Sequence, residues 1–198
     1  MIGNWELYGM SEAEMFYALA DANLDAAIVL ANALCAGSFA QTFSNAKVIM
    51  SLHHHGVELF FKYALSRGGQ EVPTHHHIGT LAWRYSTTFT DSKLQFDPPF
   101  VKEFLGFTSE QLKSAVAEEY QPKNKNKTDQ QMRYHTDREG NVWPGAHGVL
   151  PVMYAQDLLE LRKRLQGLHE LIEKHVASQA LKVTSEPVPG AVFSAPQC

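Results

Sequence analysis

The chain has 198 residues, of which 44% are hydrophobic and 19% are charged, as is typical of a globular protein and not of a disordered one. Its net charge of -4 excludes a general polyanion binder but allows a local basic patch. Two cysteines, Cys35 and Cys198, are too few for a disulfide framework, and we find no apolar run of the roughly 18 residues that cross a bilayer. The first ten residues lack a secretory signal pattern, so we expect a cytoplasmic protein that does not enter a membrane.

Two long helices are predicted in the first third of the chain. Residues 11–37 begin with Ser11 and Glu14 at capping-box spacing and end at Gly37, and their many alanines would let a partner helix approach closely. The second helix runs from near Ser44 to Arg67. Its apolar residues cover nearly the whole circumference, as expected of a helix that is packed on several sides.

The rest of the chain predicts shorter elements and one more long helix. We expect a third helix over residues 75–88, a helical turn after residue 99, a short helix over 108–120 and an irregular insert over about 121–148. The last helix, over 151–177, has an apolar seam made by Tyr154, Leu158, Leu161, Leu165, Leu168 and Ile172. Residues 182–198 contain three prolines and are predicted to be a flexible arm. The fold class is therefore all-α: an up-and-down bundle of four to five helices, in a single domain over residues 1–181.

Six of the ten histidines fall in two triplets, 53–55 and 75–77. Successive helical residues point about 100° apart, so one triplet cannot bind one metal ion. We interpret His53 as a core histidine bonded to a neighbour, and His54, Glu58 and Lys62 as a stripe along one helix face. One histidine of the second triplet is expected to cap the third helix. No metal or other cofactor is predicted, although His54 and Glu58 with His169 and Glu173 would suit a di-metal bundle.

The segment "HHHGVELFFKYALSRGGQEVPTHHHIGTL" resembles the HEPN superfamily of nucleotide-binding helical domains. The positions that carry the resemblance are Gly56, Glu58, Lys62, Ala64, Gly68, Pro73, His76 and Ile78. It implies a bundle that usually dimerises, in which Glu58, Lys62 and His76 are structural motif residues. Many members are metal-independent ribonucleases of toxin or defence type, and others are non-catalytic adaptors. The implied partners are a second copy, RNA or a nucleotide, and a nucleotidyltransferase or an antitoxin.

The ribonuclease members share an arginine that precedes a histidine by four to six intervening residues, a pattern that Arg162 and His169 satisfy. Seven positions on a helix leave these two within about 20° of each other, whereas Arg164 lies about 140° from His169. His169 would be the general base or acid, and Arg162 would neutralise the phosphorane-like transition state. The alternative is that both belong to a solvated face opposite the leucine seam.

Basic and aromatic residues alternate in the predicted insert. The candidate nucleic-acid-binding residues are Lys123, Lys125, Lys127, Arg133, Tyr134 and Arg138. Cations interleaved with aromatic rings suit the phosphates and bases of a single strand, and they also suit a solvated loop. The leading prediction is a module directed at nucleic acid or nucleotide, of the metal-independent endoribonuclease class. The alternative is a non-catalytic adaptor that works with a partner protein.

Overall fold

The computed structural model describes residues 3–96 and 150–185, and in these ranges the chain is an all-α bundle without strands. Its helices are α1 (Glu12–Cys35), α2 (Phe43–Arg67), α3 (Ile78–Thr88) and α4 (Pro151–Ser185), with 3-10 turns at Asn4–Leu7 and Ser92–Leu94. The predicted all-α helical bundle is confirmed. The turn after residue 99, the helix over 108–120, the insert over 121–148 and the arm beyond residue 185 lie outside the described residues.

Both predicted ends of α1 are confirmed. The Ser11 hydroxyl accepts the Glu14 N–H at 3.3 Å, and the Glu14 carboxylate accepts the Ser11 N–H at 2.7 Å, which together form the capping box. Gly37 follows the helix with a φ of +73°, a left-handed conformation that favours glycine. The chain can therefore turn sharply into α2, where Thr42 is the N-cap and accepts the Asn45 N–H.

Two helices differ from their predicted bounds. α3 begins at Ile78 and not at residue 75, and in the turn before the helix His75 Nδ1 accepts the N–H of His77. A histidine of the triplet, His77, occupies the N-cap position as expected, but its side chain makes no capping bond. α4 continues to Ser185, past the predicted end at 177 and into the predicted arm, because no proline or glycine occurs before Pro187.

α2 is the central helix and contacts α1, α3 and α4. All residues from Gly56 to Leu65 are buried, which confirms the prediction of a helix packed on several sides. Tyr17 of α1 contacts Tyr63 and Leu24 lies against Gly56, so α1 and α2 run antiparallel. The predicted seam of α4 is confirmed as well, since all six of its residues are buried.

His53 joins α2 to the beginning of α4. Its Nδ1 lies 2.6 Å from the hydroxyl of Tyr154, and both side chains are buried. Burial lowers the pKa of His53 to about 3, so the imidazole is neutral at physiological pH. His53 is therefore the bonded core histidine that the sequence predicted.

Helix α1 is long and apolar enough to cross a membrane by length and composition, although the sequence analysis found no such run. A packed helix of a soluble protein passes the same test, and so does a signal sequence. In the structure α1 contacts α2 and α4, and its Asp21 and Asp25 form ion pairs with Arg162 of α4. The apolar residues of α1 therefore serve its packing against α2 and α4.

α1 and α2 approach each other closely at Gly56. A Cβ added there would lie 2.9 Å from Leu24 Cγ and 3.1 Å from the carbonyl oxygen of Ala20. The small residues of α1 thus permit the close packing that its composition predicted. Gly167 of α4 differs, since a Cβ added there meets no atom within 4 Å.

These two glycines make a matched pair for a stability test. We expect Gly56→Ala to lower the free energy of unfolding by about 1–2 kcal/mol, because overpacking outweighs the gain in helix propensity. Gly167→Ala should raise it by about 0.5–1 kcal/mol through propensity alone. Urea denaturation of both variants measures the difference, and equal effects would contradict the close approach at Gly56.

Candidate functional site

The ring of His169 lies where α1, α2 and α4 meet. Tyr17 of α1 stacks on it, with ring centroids 3.8 Å apart and an interplanar angle of 11°. The hydroxyl of Tyr63 of α2 lies 2.7 Å from His169 Nδ1. His169 is half-buried, so its ring keeps partial access to solvent although three helices meet around it.

A chain of polar contacts extends from His169 along α2 and α4. The Tyr63 hydroxyl donates to Glu173 Oε1 at 2.8 Å, and Arg67 Nε donates to the same oxygen at 2.8 Å. A second nitrogen of Arg67, Nη2, pairs with Glu173 Oε2. We call His169, Tyr63, Glu173 and Arg67 the junction network.

The pKa shifts within the junction network indicate which of its side chains are charged at neutral pH. Burial lowers the pKa of His169, and the nearby Arg67 lowers it further against the charge of Glu173. Burial opposes ionisation of Glu173, but the bonds from Arg67 and Tyr63 outweigh it and lower the pKa of Glu173. Burial and Glu173 both raise the pKa of the Tyr63 phenol. At neutral pH, therefore, His169 and Tyr63 are neutral and Glu173 is ionised.

Arg162 is held by carboxylates of α1. Its Nε and Nη2 donate to the two oxygens of Asp21 at 2.8 and 2.7 Å, and its Nη1 donates to Asp25 Oδ1 at 2.6 Å. These bonds to Arg162 lower the pKa of Asp21. Arg162 therefore ties α4 to α1.

Arg162 and His169, the predicted catalytic pair, lie on the same helix but have separate partners. Arg162 contacts Asp21 and Asp25, whereas His169 contacts Tyr17 and Tyr63. The alternative of a solvated face opposite the leucine seam is wrong for both residues, since each bonds to another helix. The guanidinium within the junction network is that of Arg67, which was not among the residues predicted from the sequence.

Glu58 is the centre of a second polar cluster. Its Oε1 lies 2.8 Å from both Lys62 Nζ and His76 Nδ1, and its Oε2 lies 3.3 Å from His55 Nδ1. Burial opposes ionisation of Glu58, but these three partners outweigh it and hold its pKa well below the usual range. The predicted Glu58–Lys62 pair is confirmed, and the three motif residues Glu58, Lys62 and His76 contact one another through a single carboxylate.

The metal alternative fails on geometry. Within residues 3–96 and 150–185, no three histidine, cysteine, aspartate or glutamate side chains converge as metal ligands would. His54, Glu58, His169 and Glu173 therefore do not form the site considered from the sequence. Glu173 bonds to Arg67 and Tyr63, and Glu58 bonds to Lys62, His55 and His76.

The predicted nucleic-acid-binding residues, Lys123, Lys125, Lys127, Arg133, Tyr134 and Arg138, lie outside the described residues.

The prediction from the sequence missed Tyr17, Tyr63 and Arg67, although a signal for them exists. Each of the three helices contributes residues four positions apart, one turn along the same face. The pairs are Tyr17 with Asp21, Tyr63 with Arg67, and His169 with Glu173.

Comparisons of the chain with protein-family models, curated proteins and solved structures found no match. The HEPN resemblance stays a prediction from residues 53–81, which carry it.

Because Glu58 and Lys62 form a buried pair, we expect a single substitution of Glu58 to lower the free energy of unfolding strongly. Glu58→Gln should lower the free energy of unfolding by about 3 kcal/mol or more, because it leaves the Lys62 charge, on a side chain 8% exposed, without its carboxylate. The double variant Glu58→Leu/Lys62→Met should recover most of that loss. Denaturant unfolding of the wild type and both variants measures these changes, with Glu160→Gln on the exposed face of α4 as the control. A loss below about 0.5 kcal/mol, the usual size of a surface effect, would contradict a buried ionised pair.

The lowered pKa of His169 predicts a pH dependence. We expect its NMR titration midpoint to fall below the ordinary value of 6.5. Because the folded pKa is below the unfolded one, neutral His169 contributes stability above pH 6.5 that is lost as the pH falls through the folded pKa. His169→Asn should therefore show a shallower loss of stability from pH 7 to pH 5 than the wild type. A midpoint at or above 6.5 would refute burial as the dominant influence.

Proposed function

We propose that the protein is a HEPN-like helical module directed at RNA or a nucleotide, and that it cleaves RNA without a metal ion. The observation that carries the proposal is the half-buried, neutral His169, which is held by a hydrogen bond to Tyr63 at the meeting point of three helices. A neutral imidazole with a fixed ring is suited to proton transfer near pH 7. The contact of Glu58 with both Lys62 and His76, at motif positions, supports the same family.

In the proposed reaction His169 removes the proton of a ribose 2′-hydroxyl. The 2′-oxygen then attacks the adjacent phosphorus, the bond from phosphorus to the 5′-oxygen breaks, and the leaving oxygen takes up a proton. A second His169, from the partner copy of a homodimer and in its protonated form, would supply that proton, and the proton taken up by the first His169 balances the one given. Arg162 would bind the phosphate after exchanging its carboxylate partners for phosphate oxygens, since both anions suit the same two-pronged guanidinium geometry.

We propose that a basic segment binds the strand, because it precedes α4 in the chain. Its residues are Lys123, Lys125, Lys127, Arg133, Tyr134 and Arg138. As a member of the toxin or defence type, the protein would act in the cytoplasm and be paired with an antitoxin or a nucleotidyltransferase.

A second candidate is a non-catalytic adaptor, and Arg162 favours it. Three of its N–H groups are bonded to Asp21 and Asp25, and Tyr17 covers one face of the His169 ring. In an adaptor these contacts would simply join α1 to α4. The two candidates differ in whether His169 exchanges a proton with a bound molecule.

RNA cleavage in EDTA separates the two candidates. We expect the full chain to cut a mixed-sequence RNA in the presence of the chelator. His169→Asn should lose roughly 10²–10⁴-fold in rate, the usual contribution of a general base or acid. His175→Asn is the matched control, because His175 is also on α4 but contacts Phe89 and Gln179. Wild type that leaves every RNA intact would support the adaptor, and equal loss in both variants would exclude a specific role of His169.

A further inference from the structure

The order of protons in the junction network follows from its chemistry. An ionised carboxylate has no proton, so Glu173 can only accept, and both Arg67 and Tyr63 donate to it. The Tyr63 hydroxyl has a single hydrogen, which is used in the bond to Glu173. Its oxygen can then only accept from its other neighbour, His169 Nδ1, at 2.7 Å.

We infer that Arg67, Glu173 and Tyr63 fix His169 as the Nδ1–H tautomer, so that Nε2 is the basic atom of the site. Tyr63 and Glu173 are then positioning residues: they act through His169 and need not touch a substrate. The tautomer is the reverse of the one that free histidine prefers in water, so the network has a measurable effect. The lowered pKa of Glu173 and the raised pKa of Tyr63 agree with this order, since they keep the first ionised and the second protonated.

This order also lets His169 gain and lose a proton without rearranging its neighbours. Protonation adds a hydrogen at Nε2, while Nδ1 donates to Tyr63 before and after the step. Tyr17 lies over the face of the ring, and Nε2 is at the ring edge away from Tyr63. A reacting hydroxyl would therefore have to approach in the plane of the imidazole, at Nε2. This consequence rests on the proposed function, whereas the tautomer itself does not.

Tyr63→Phe tests the order while it preserves the aromatic ring of the side chain. The variant has no hydroxyl oxygen to accept from His169 Nδ1, so the imidazole should return to the Nε2–H form that free histidine prefers in water. Glu170→Gln is the control, because Glu170 is exposed on the helix that carries His169 and influences it through its charge.

The measurement is long-range ¹H–¹⁵N NMR of the full chain with ¹⁵N-labelled histidine, recorded above the titration midpoint of His169. We expect the Nδ1–H form in the wild type and in Glu170→Gln, and the Nε2–H form in Tyr63→Phe. An Nε2–H wild type would overturn the inference without any variant, and so would a folded Tyr63→Phe that keeps the Nδ1–H form. Circular dichroism establishes that each variant is folded.

The cleavage assay separates the failure of this inference from the failure of the proposed function. If the wild type cuts RNA, Tyr63→Phe should lose roughly 10²–10⁴-fold in rate while Glu170→Gln stays near the wild type. Nδ1–H in a wild type that cuts no RNA would support the proton order and end the proposed function. Nε2–H in a wild type that cuts RNA would do the reverse.

Discussion

The structure depends on the pairing of polar groups along a helix that is enclosed by its neighbours. Because α2 is packed against α1, α3 and α4, each polar side chain on its inner turns needs a partner from another part of the bundle. His53 finds Tyr154 at the beginning of α4, and Glu58 finds His76 before α3. Tyr63 finds Glu173 in the second half of α4. These bonds set where each neighbour lies along α2.

The candidate site is a product of the same requirement. Arg67 leaves the core in the last turn of α2, where burial decreases, so its partner Glu173 is also only partly buried. A carboxylate held by a guanidinium and a phenol is stable in that position, and it orients the histidine beside it. The contacts that join α2 to α4 are therefore also the contacts that would favour proton transfer by His169.

The sequence predicted the fold well where a local pattern decides the structure. The capping box of Ser11, the left-handed Gly37 and the seam of α4 all depend on neighbours in the chain. It predicted the site less well, because the partner of a polar residue is set by packing between helices. The spacing pattern pointed to His169, but Tyr63 and Arg67 are 106 residues away from their partners His169 and Glu173. Arg162 matched a spacing, and its two aspartates could not be seen from that spacing.

The sequence distance across the junction network has a consequence for how the molecule assembles. α1 and α2 are joined by residues 36–42 alone, so their contacts close a short loop and can form early. Arg162 reaches Asp21 over 141 positions, and α4 can dock only after that much larger loop has closed. The antiparallel pair of α1 and α2 thus gives α4 a surface on which to dock. The His169 site exists only once α4 has docked on that pair.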